Sequence, residues 1–106
     1  MQIVITGRHF DVTGPIKDFV EEKISHLEPL AYNVLKAHVI LSVEKFRHLA
    51  EVTIWTKHHN ITAKTQTHDV YASVDAAITK VRNQLVRYHD KMKERKRETQ
   101  KKIGKR

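Results

Sequence analysis

The spacing of apolar residues along the chain predicts a strand, a helix, three further strands and a second helix. The segment QIVITG (2–7) is rich in β-branched residues and predicts a short strand that ends at Gly7. The segment after it has an N-cap candidate at Thr13, a proline suited to a first helical turn at Pro15 and a helix-ending proline at Pro29. Its apolar stripe recurs at helical spacing and consists of Ile16, Phe19, Val20, Ile24 and Leu27.

From Lys36 onward, apolar and polar residues alternate, which is typical of strands with one buried face. Three segments show this alternation: KAHVILSVEK (36–45), LAEVTIWTK (49–57) and NITAKTQT (60–67). The links between them are short, so we expect antiparallel hairpins. The alternate positions predict a sheet face open to solvent, with Glu44, Glu51, Thr53, Lys57, Thr62, Lys64 and Gln66. The fold class is therefore α+β: a β-α-β-β-β-α two-layer sandwich with both helices on one face of a four-stranded sheet.

The closing segment, DVYASVDAAITKVRNQLVRYHDK (69–91), predicts a long helix with two different faces. We expect Asp69 to be its N-cap. Six apolar residues fall within an arc about 80° wide on the helical wheel, and we expect this arc to face the core. They are Tyr71, Val74, Ile78, Val81, Leu85 and Met92. Lys80, Arg87 and Lys91 fall together on the outward side, within about 40° of Lys80. Solvent-facing cations are ordinary on a surface helix, but this row has almost no interleaved glutamate, which favours binding of a phosphate backbone.

The formal charge of +8 is concentrated at the end of the chain: residues 1–90 carry +1 and residues 91–106 carry +7. We interpret residues 1–92 as one α+β domain. Residues 93–106 are interpreted as a basic C-terminal extension in which the helix ends and the chain becomes disordered. A basic run of this kind is typical of a solvated end, or of an arm that binds nucleic acid or an anionic membrane.

Several classes of function find no support in the sequence. There is no cysteine, no glycine-rich phosphate loop and no apolar run of the roughly 20 residues that a membrane span needs. The eight histidines, including the adjacent His58 and His59, lack the helical spacing that metal sites favour. We therefore expect a cytoplasmic protein without a metal, a cofactor, a membrane partner or a small-molecule substrate. Trp55 lies on the polar register of its strand. Such a ring can stack on an exposed base, but a cover for the sheet face is the commoner role, so we do not place Trp55 in the site.

Four segments carry a resemblance to a known family: ITG (5–7), GPIKDFVEEKISHLE (14–28), VILSVEK (39–45) and the closing helix. Over about residues 1–92 the chain resembles the bacterial ribosome hibernation promoting factors and ribosome-associated translation inhibitors. The resemblance implies a fold similar to a double-stranded RNA-binding domain and no enzymatic activity. It also implies a protein, monomeric when free, that binds the small ribosomal subunit between head and body. There it would block the messenger and transfer RNA sites and inhibit translation in idle cells.

The resemblance also implies which residues contact ribosomal RNA. Basic family positions correspond to Lys17, Lys23 and His26 in the first helix and to Lys80, Arg87 and Lys91 in the second. Relatives often have arginine where this chain has Asn83. The neighbouring Arg82, which we also expect to contact RNA, points about 100° away from that position. We expect the tail from Lys93 and Arg95 to follow neighbouring RNA. The basic tail differs from the acidic tail of the inhibitor branch, and the second, dimer-forming domain of the long branch is not found here.

Two alternatives stay open at this point. A generic double-stranded RNA-binding protein would have the same topology and the same salt-sensitive affinity. A small enzyme using the histidines is the other alternative, although no catalytic motif supports it. The sequence leaves open whether ribosomes are only silenced or are also paired into dimers.

Overall fold

The structure, a computed structural model, describes residues 1–30, 34–57 and 59–104, with side chains described as far as Tyr88 except for Glu28. The elements are β1 (Gln2–Arg8), α1 (Gly14–Ser25), β2 (Val34–Glu44), β3 (Arg47–Thr56), β4 (Asn60–Thr67) and α2 (Val70–Gly104). A single 3-10 turn, Glu28–Leu30, follows α1. The predicted α+β order is confirmed.

The four strands form one mixed sheet in the order β1-β2-β3-β4. β2 pairs antiparallel with β3, and β3 pairs antiparallel with β4, which confirms the two predicted hairpins. β1 pairs with β2 in parallel. Parallel neighbours need a long crossover between them, and α1 provides it. β4 is consequently one edge of the sheet, beside α2.

α1 begins where Thr13 can satisfy the free amides of the first turn. The amide of Ile16 donates to Thr13 Oγ1 at 3.4 Å, and the amide of Lys17 donates to the Thr13 carbonyl at 2.9 Å. Pro15 lies in that first turn, where its missing amide costs no hydrogen bond. The predicted N-cap is confirmed, and the helix ends at Ser25, four residues before Pro29.

Both helices pack their apolar stripes against the same face of the sheet. Side chains of α1, α2 and the inward positions of β2, β3 and β4 form one continuous core, which includes Val20, Ile24, Leu27, Ala37, Val39, Leu41, Val52, Ile54, Val74, Ile78, Val81 and Leu85. Burying a valine, leucine or isoleucine side chain of this kind contributes about 1.5–3 kcal/mol. The sheet is therefore sealed on one face only, and Glu51, Thr53 and Lys64 lie on the other face as predicted.

The prediction that Tyr71 belongs to the core of α2 is wrong. Its side chain is 39% exposed, and its ring meets Phe19 of α1 edge-on, with centroids 5.0 Å apart. Tyr71 lies at the limit of the apolar arc, where α2 faces α1 and not the sheet. The inward positions are taken by Val70, Ser73 and Ala77 as well as by the predicted residues. Met92 lies outside the residues whose side chains are described.

Gly7, near the end of β1, has no room for a side chain. A Cβ atom built there would lie 2.0 Å from the Phe10 carbonyl oxygen and 3.1 Å from a methyl group of Val12. The loop after β1 folds back against the strand, and His9 within it has a φ of 51°. Glycine is therefore required by close approach of the backbone.

The backbone of α2 continues past residue 92 to Gly104. The boundary between residues 92 and 93, and the disorder expected beyond it, stay predictions.

Candidate nucleic-acid interface

The start of α2 is capped by Asp69. Its carboxylate oxygens accept from the amides of Tyr71 and Ala72, each at 3.3 Å. The hydroxyl of Thr67 donates to the Asp69 carbonyl at 2.6 Å and accepts from the Asp69 amide at 3.1 Å. The predicted cap is confirmed, and it connects the end of β4 directly to the first turn of α2.

A buried serine then fixes the rotation of α2 about its own axis. Ser73 Oγ donates to the His48 carbonyl of β3 at 2.7 Å and lies 2.6 Å from Thr67 Oγ1. The hydroxyl of Thr65 in β4 donates to the Ser73 carbonyl at 2.6 Å. Ser73 is fully buried. Because these bonds attach α2 to two neighbouring strands, they determine which helical positions face outward in the following turns.

Lys80, Gln84 and Arg87 line the side of α2 next to the edge strand β4. All three side chains are exposed, and they lie within about 60° of one another on the helical wheel. Lys80 Nζ reaches the carbonyl oxygen of Lys64 in β4 at 3.4 Å. We call this surface the β4 flank. The cations lie on an exposed side of α2, as the wheel predicted, and this side borders the edge of the sheet.

Arg87 and Gln84 also border a shallow crevice between α2 and the loop before β4. The crevice has a volume of about 230 Å³, and its other lining residues are His59, Asn60, Ile61 and Tyr88. The rings of His59 and Tyr88 touch, with centroids 4.2 Å apart. An exposed guanidinium beside aromatic rings and amide groups is a surface suited to a phosphate and its attached base.

Lys23 lies in a different environment, between the two helices. Its ammonium is 3.5 Å from the Asp75 carboxylate of α2 and 5.5 Å from the centre of the Phe19 ring. Arg82 lies on the same side of α2 as Asp75, about 20° away on the wheel. The structure thus separates the predicted contacts into the β4 flank and a second group beside α1, where one cation is already paired.

The other residues predicted to contact RNA lie outside these two groups or outside the described side chains. Lys17 and His26 are exposed on α1 and just after it. Lys91, Lys93 and Arg95 belong to the backbone of α2, but they lie outside the residues whose side chains are described. Their predicted contacts with RNA stay predictions, as do those of the other site residues.

Sequence reasoning missed Ser73 and the pairing role of Asp75. On the helical wheel Ser73 falls about 20° from Lys80, on the side predicted to face outward, so no local pattern marked its hydroxyl as buried and in need of a partner. An acid near the start of a helix is favoured by the helix dipole, which accounts for Asp75 in the sequence without any partner. Its partner lies in α1, 52 residues earlier in the chain, and no local pattern links the two.

Among the residues whose side chains are described, no three histidine, aspartate or glutamate side chains come together as metal ligands would. None of the described helices is long and apolar enough to cross a membrane.

The fold and the β4 flank together define a small α+β domain with a cationic helix side, a class typical of RNA-binding proteins. The family profile described as "Sigma 54 modulation protein / S30EA ribosomal protein" matches residues 3–93. The chain belongs to this family.

Curated relatives in this family are similar over nearly the whole chain. The Ribosome hibernation promoting factor of Salmonella typhimurium is 34% identical over 94 residues, which are 89% of this chain and 99% of the relative. The protein of the same name from Azotobacter vinelandii is 36% identical over 95 residues, covering 90% of this chain and 89% of the relative.

Solved structures confirm the fold. A "ribosomal subunit interface protein" from Coxiella burnetii superposes with a TM-score of 0.79 at 24% identity, over 83% of this chain and 97% of that one. The N-terminal domain of "Protein Y" from Thermus thermophilus gives a TM-score of 0.78 at 28% identity, over 83% and 99% of the two chains.

Proposed function

We propose that this protein is a ribosome hibernation factor that binds the small ribosomal subunit in the decoding region between head and body. Bound there, it excludes messenger and transfer RNA and holds idle ribosomes inactive in the cytoplasm. The mechanism is competitive occupancy of a site and involves no chemical step. Family membership and the names of the curated relatives support the hibernation function.

The observation that carries the proposed RNA contact is that the cations of the β4 flank have no carboxylate partner among the described side chains. Within the part of the chain whose side chains the structure describes, neither Lys80 nor Arg87 is paired with a carboxylate. Both charges are therefore available to phosphates. Each phosphate that they neutralise releases condensed counterions, so the affinity depends on salt concentration. We also assign RNA contacts to Lys91, one turn further along α2, and to the tail from Lys93 and Arg95.

Lys17, Lys23 and Arg82 contribute on the α1 side of α2. Lys23 contacts RNA from the groove between the helices, where Asp75 reduces its net charge. The recognition is mainly of shape and backbone, as for other proteins that bind structured RNA.

Sedimentation through a sucrose gradient tests the proposal. The protein should migrate with isolated small subunits and with intact ribosomes, and not with large subunits alone. An excess of a generic RNA duplex should fail to displace it. If the duplex competes as well as the small subunit does, the protein is a generic double-stranded RNA binder. The same gradient separates paired from single ribosomes, and so assigns or excludes a pairing activity.

A further inference from the structure

The face of the sheet that points away from the helices carries an aromatic and cationic patch. In the strand register, one row crosses all four strands with Gln2, Lys36, Trp55 and Asn60. The adjacent row consists of Val4, His38, Thr53 and Thr62. We call these two rows the Trp55 patch. None of the eight residues is acidic.

The side chains at the centre of the Trp55 patch are arranged by contacts among themselves. Lys36 Nζ lies 5.3 Å from the centre of the Trp55 ring. The ring of His38 lies nearly parallel to that of Trp55, at an angle of 23° with centroids 6.4 Å apart. A contact of 2.9 Å between His38 Nε2 and Thr6 Oγ1 holds the imidazole in place. The patch is thus a preformed surface with two aromatic rings and a cation over one face of the Trp55 ring.

The rest of the same sheet face has a different charge pattern. The next row contains Glu51, whose carboxylate is 4.0 Å from Lys64 Nζ. The carboxylates on this face thus lie beyond the Trp55 patch, and the patch itself carries only positive charge. A lysine stem that covers an indole is a common way to shield an aromatic ring. Shielding of the indole explains neither the His38 ring beside it nor the absence of aspartate and glutamate from both rows of the Trp55 patch.

We propose that the Trp55 patch binds single-stranded RNA, with a base stacked on the indole of Trp55 and a phosphate held by Lys36. Bases stack on aromatic side chains with little regard to sequence, and a cation beside the ring binds the backbone. Four strands span about 14 Å at a spacing of about 4.8 Å, enough for the two or three bases that a sheet surface of this size can stack. The patch lies on the face opposite the helices, so one molecule can contact two RNA segments. This inference is independent of the proposed site on the small subunit.

Trp55 is the only tryptophan in the chain, so its fluorescence reports directly on the patch. Titrating the full chain with a short oligouridylate should quench this fluorescence along a saturable curve. The K80E/R87E variant, altered on the β4 flank, should keep the quenching within about threefold of the wild-type affinity. Lys36→Glu should weaken it about tenfold or more. Lys64→Glu makes the same charge change outside the patch and should stay within about threefold.

A second measurement follows a labelled oligouridylate by fluorescence anisotropy. Trp55→Phe should retain binding, whereas Trp55→Ala should lose about tenfold or more. Circular dichroism checks that each variant folds, and Lys36→Ala replaces Lys36→Glu if the latter does not. Absence of saturable quenching in the wild type overturns the proposal. So does quenching that survives Lys36→Glu but is lost in K80E/R87E. Equal quenching by polyglutamate would also overturn it, because the patch would then be a general site for acidic chains.

Discussion

The ammonium of Lys23 lies 3.5 Å from the carboxylate of Asp75 and joins α1 to α2. Both side chains are partly exposed, so the pair contributes at most about 1 kcal/mol to stability. Its larger effect is on charge, because Asp75 neutralises a cation that the proposed function assigns to RNA.

Replacing Asp75 with asparagine should therefore strengthen binding to the small subunit by about two- to fivefold at low salt, since Lys23 becomes free to meet a phosphate. The free energy of unfolding should change by no more than about 1 kcal/mol. Asp18→Asn is the matched control, because it removes one negative charge from the exposed side of α1. Equal gains in both variants would show that net charge alone matters and that Lys23 has no specific role.

Asn83 is exposed on α2, at a position where the family resemblance implies an arginine. Asn83→Arg should tighten binding by about two- to fivefold and steepen the salt dependence by about one unit of slope, because one more phosphate is neutralised. Asn83→Gln lengthens the side chain without adding charge and should leave both quantities unchanged. A titration at several salt concentrations separates these outcomes. An unchanged slope in the arginine variant would remove this position from the interface.

Ser73 connects α2 to both β3 and β4 through hydrogen bonds. Ser73→Ala removes its buried hydroxyl and leaves the His48 carbonyl without that donor, so stability should fall by about 1–3 kcal/mol. Thr79→Ala, on the exposed side of the same helix, should stay within about 0.5 kcal/mol. Urea denaturation measures both. A Ser73→Ala protein as stable as the wild type would contradict the proposed role of this serine in orienting the β4 flank.

The close approach at Gly7 gives a second prediction about stability. Gly7→Ala forces the Phe10 carbonyl to move and should cost about 1–3 kcal/mol. A Cβ atom added at Gly14 would have no atom within 4 Å, so Gly14→Ala should be neutral or stabilise by up to about 1 kcal/mol. Thermal unfolding of the two variants checks the difference, and similar melting temperatures would contradict it.

Local patterns were sufficient to predict most of the fold. The alternation in residues 60–67 matches β4 from end to end, and the caps at Thr13 and Asp69 are those of the structure. Each of these features depends on residues a few positions apart. The parallel pairing of β1 with β2 joins residues more than 30 positions apart, and the alternation of β1 alone does not specify its partner.

The sequence grouped the candidate cations on one side of α2 but did not show which neighbouring element they border. The helical wheel correctly grouped Lys80 with Arg87, since both depend only on the helical period. It could not show that this group borders β4, because that depends on how Ser73 fixes the rotation of α2. Tyr71 was assigned to the core for the same reason. The wheel shows which residues share one side of the helix, but the neighbouring elements decide which residues at the margin of that side are buried.

We propose that the β4 flank holds the protein on the small subunit, and reversing its charges is the sharpest test. The K80E/R87E variant should remain folded by circular dichroism but fail to sediment with small subunits at a salt concentration where the wild type binds fully. The K45E/R47E variant makes the same charge change in and beside the β2–β3 turn and should still sediment with them. Normal sedimentation of K80E/R87E, or equal loss in both variants, would contradict the claim.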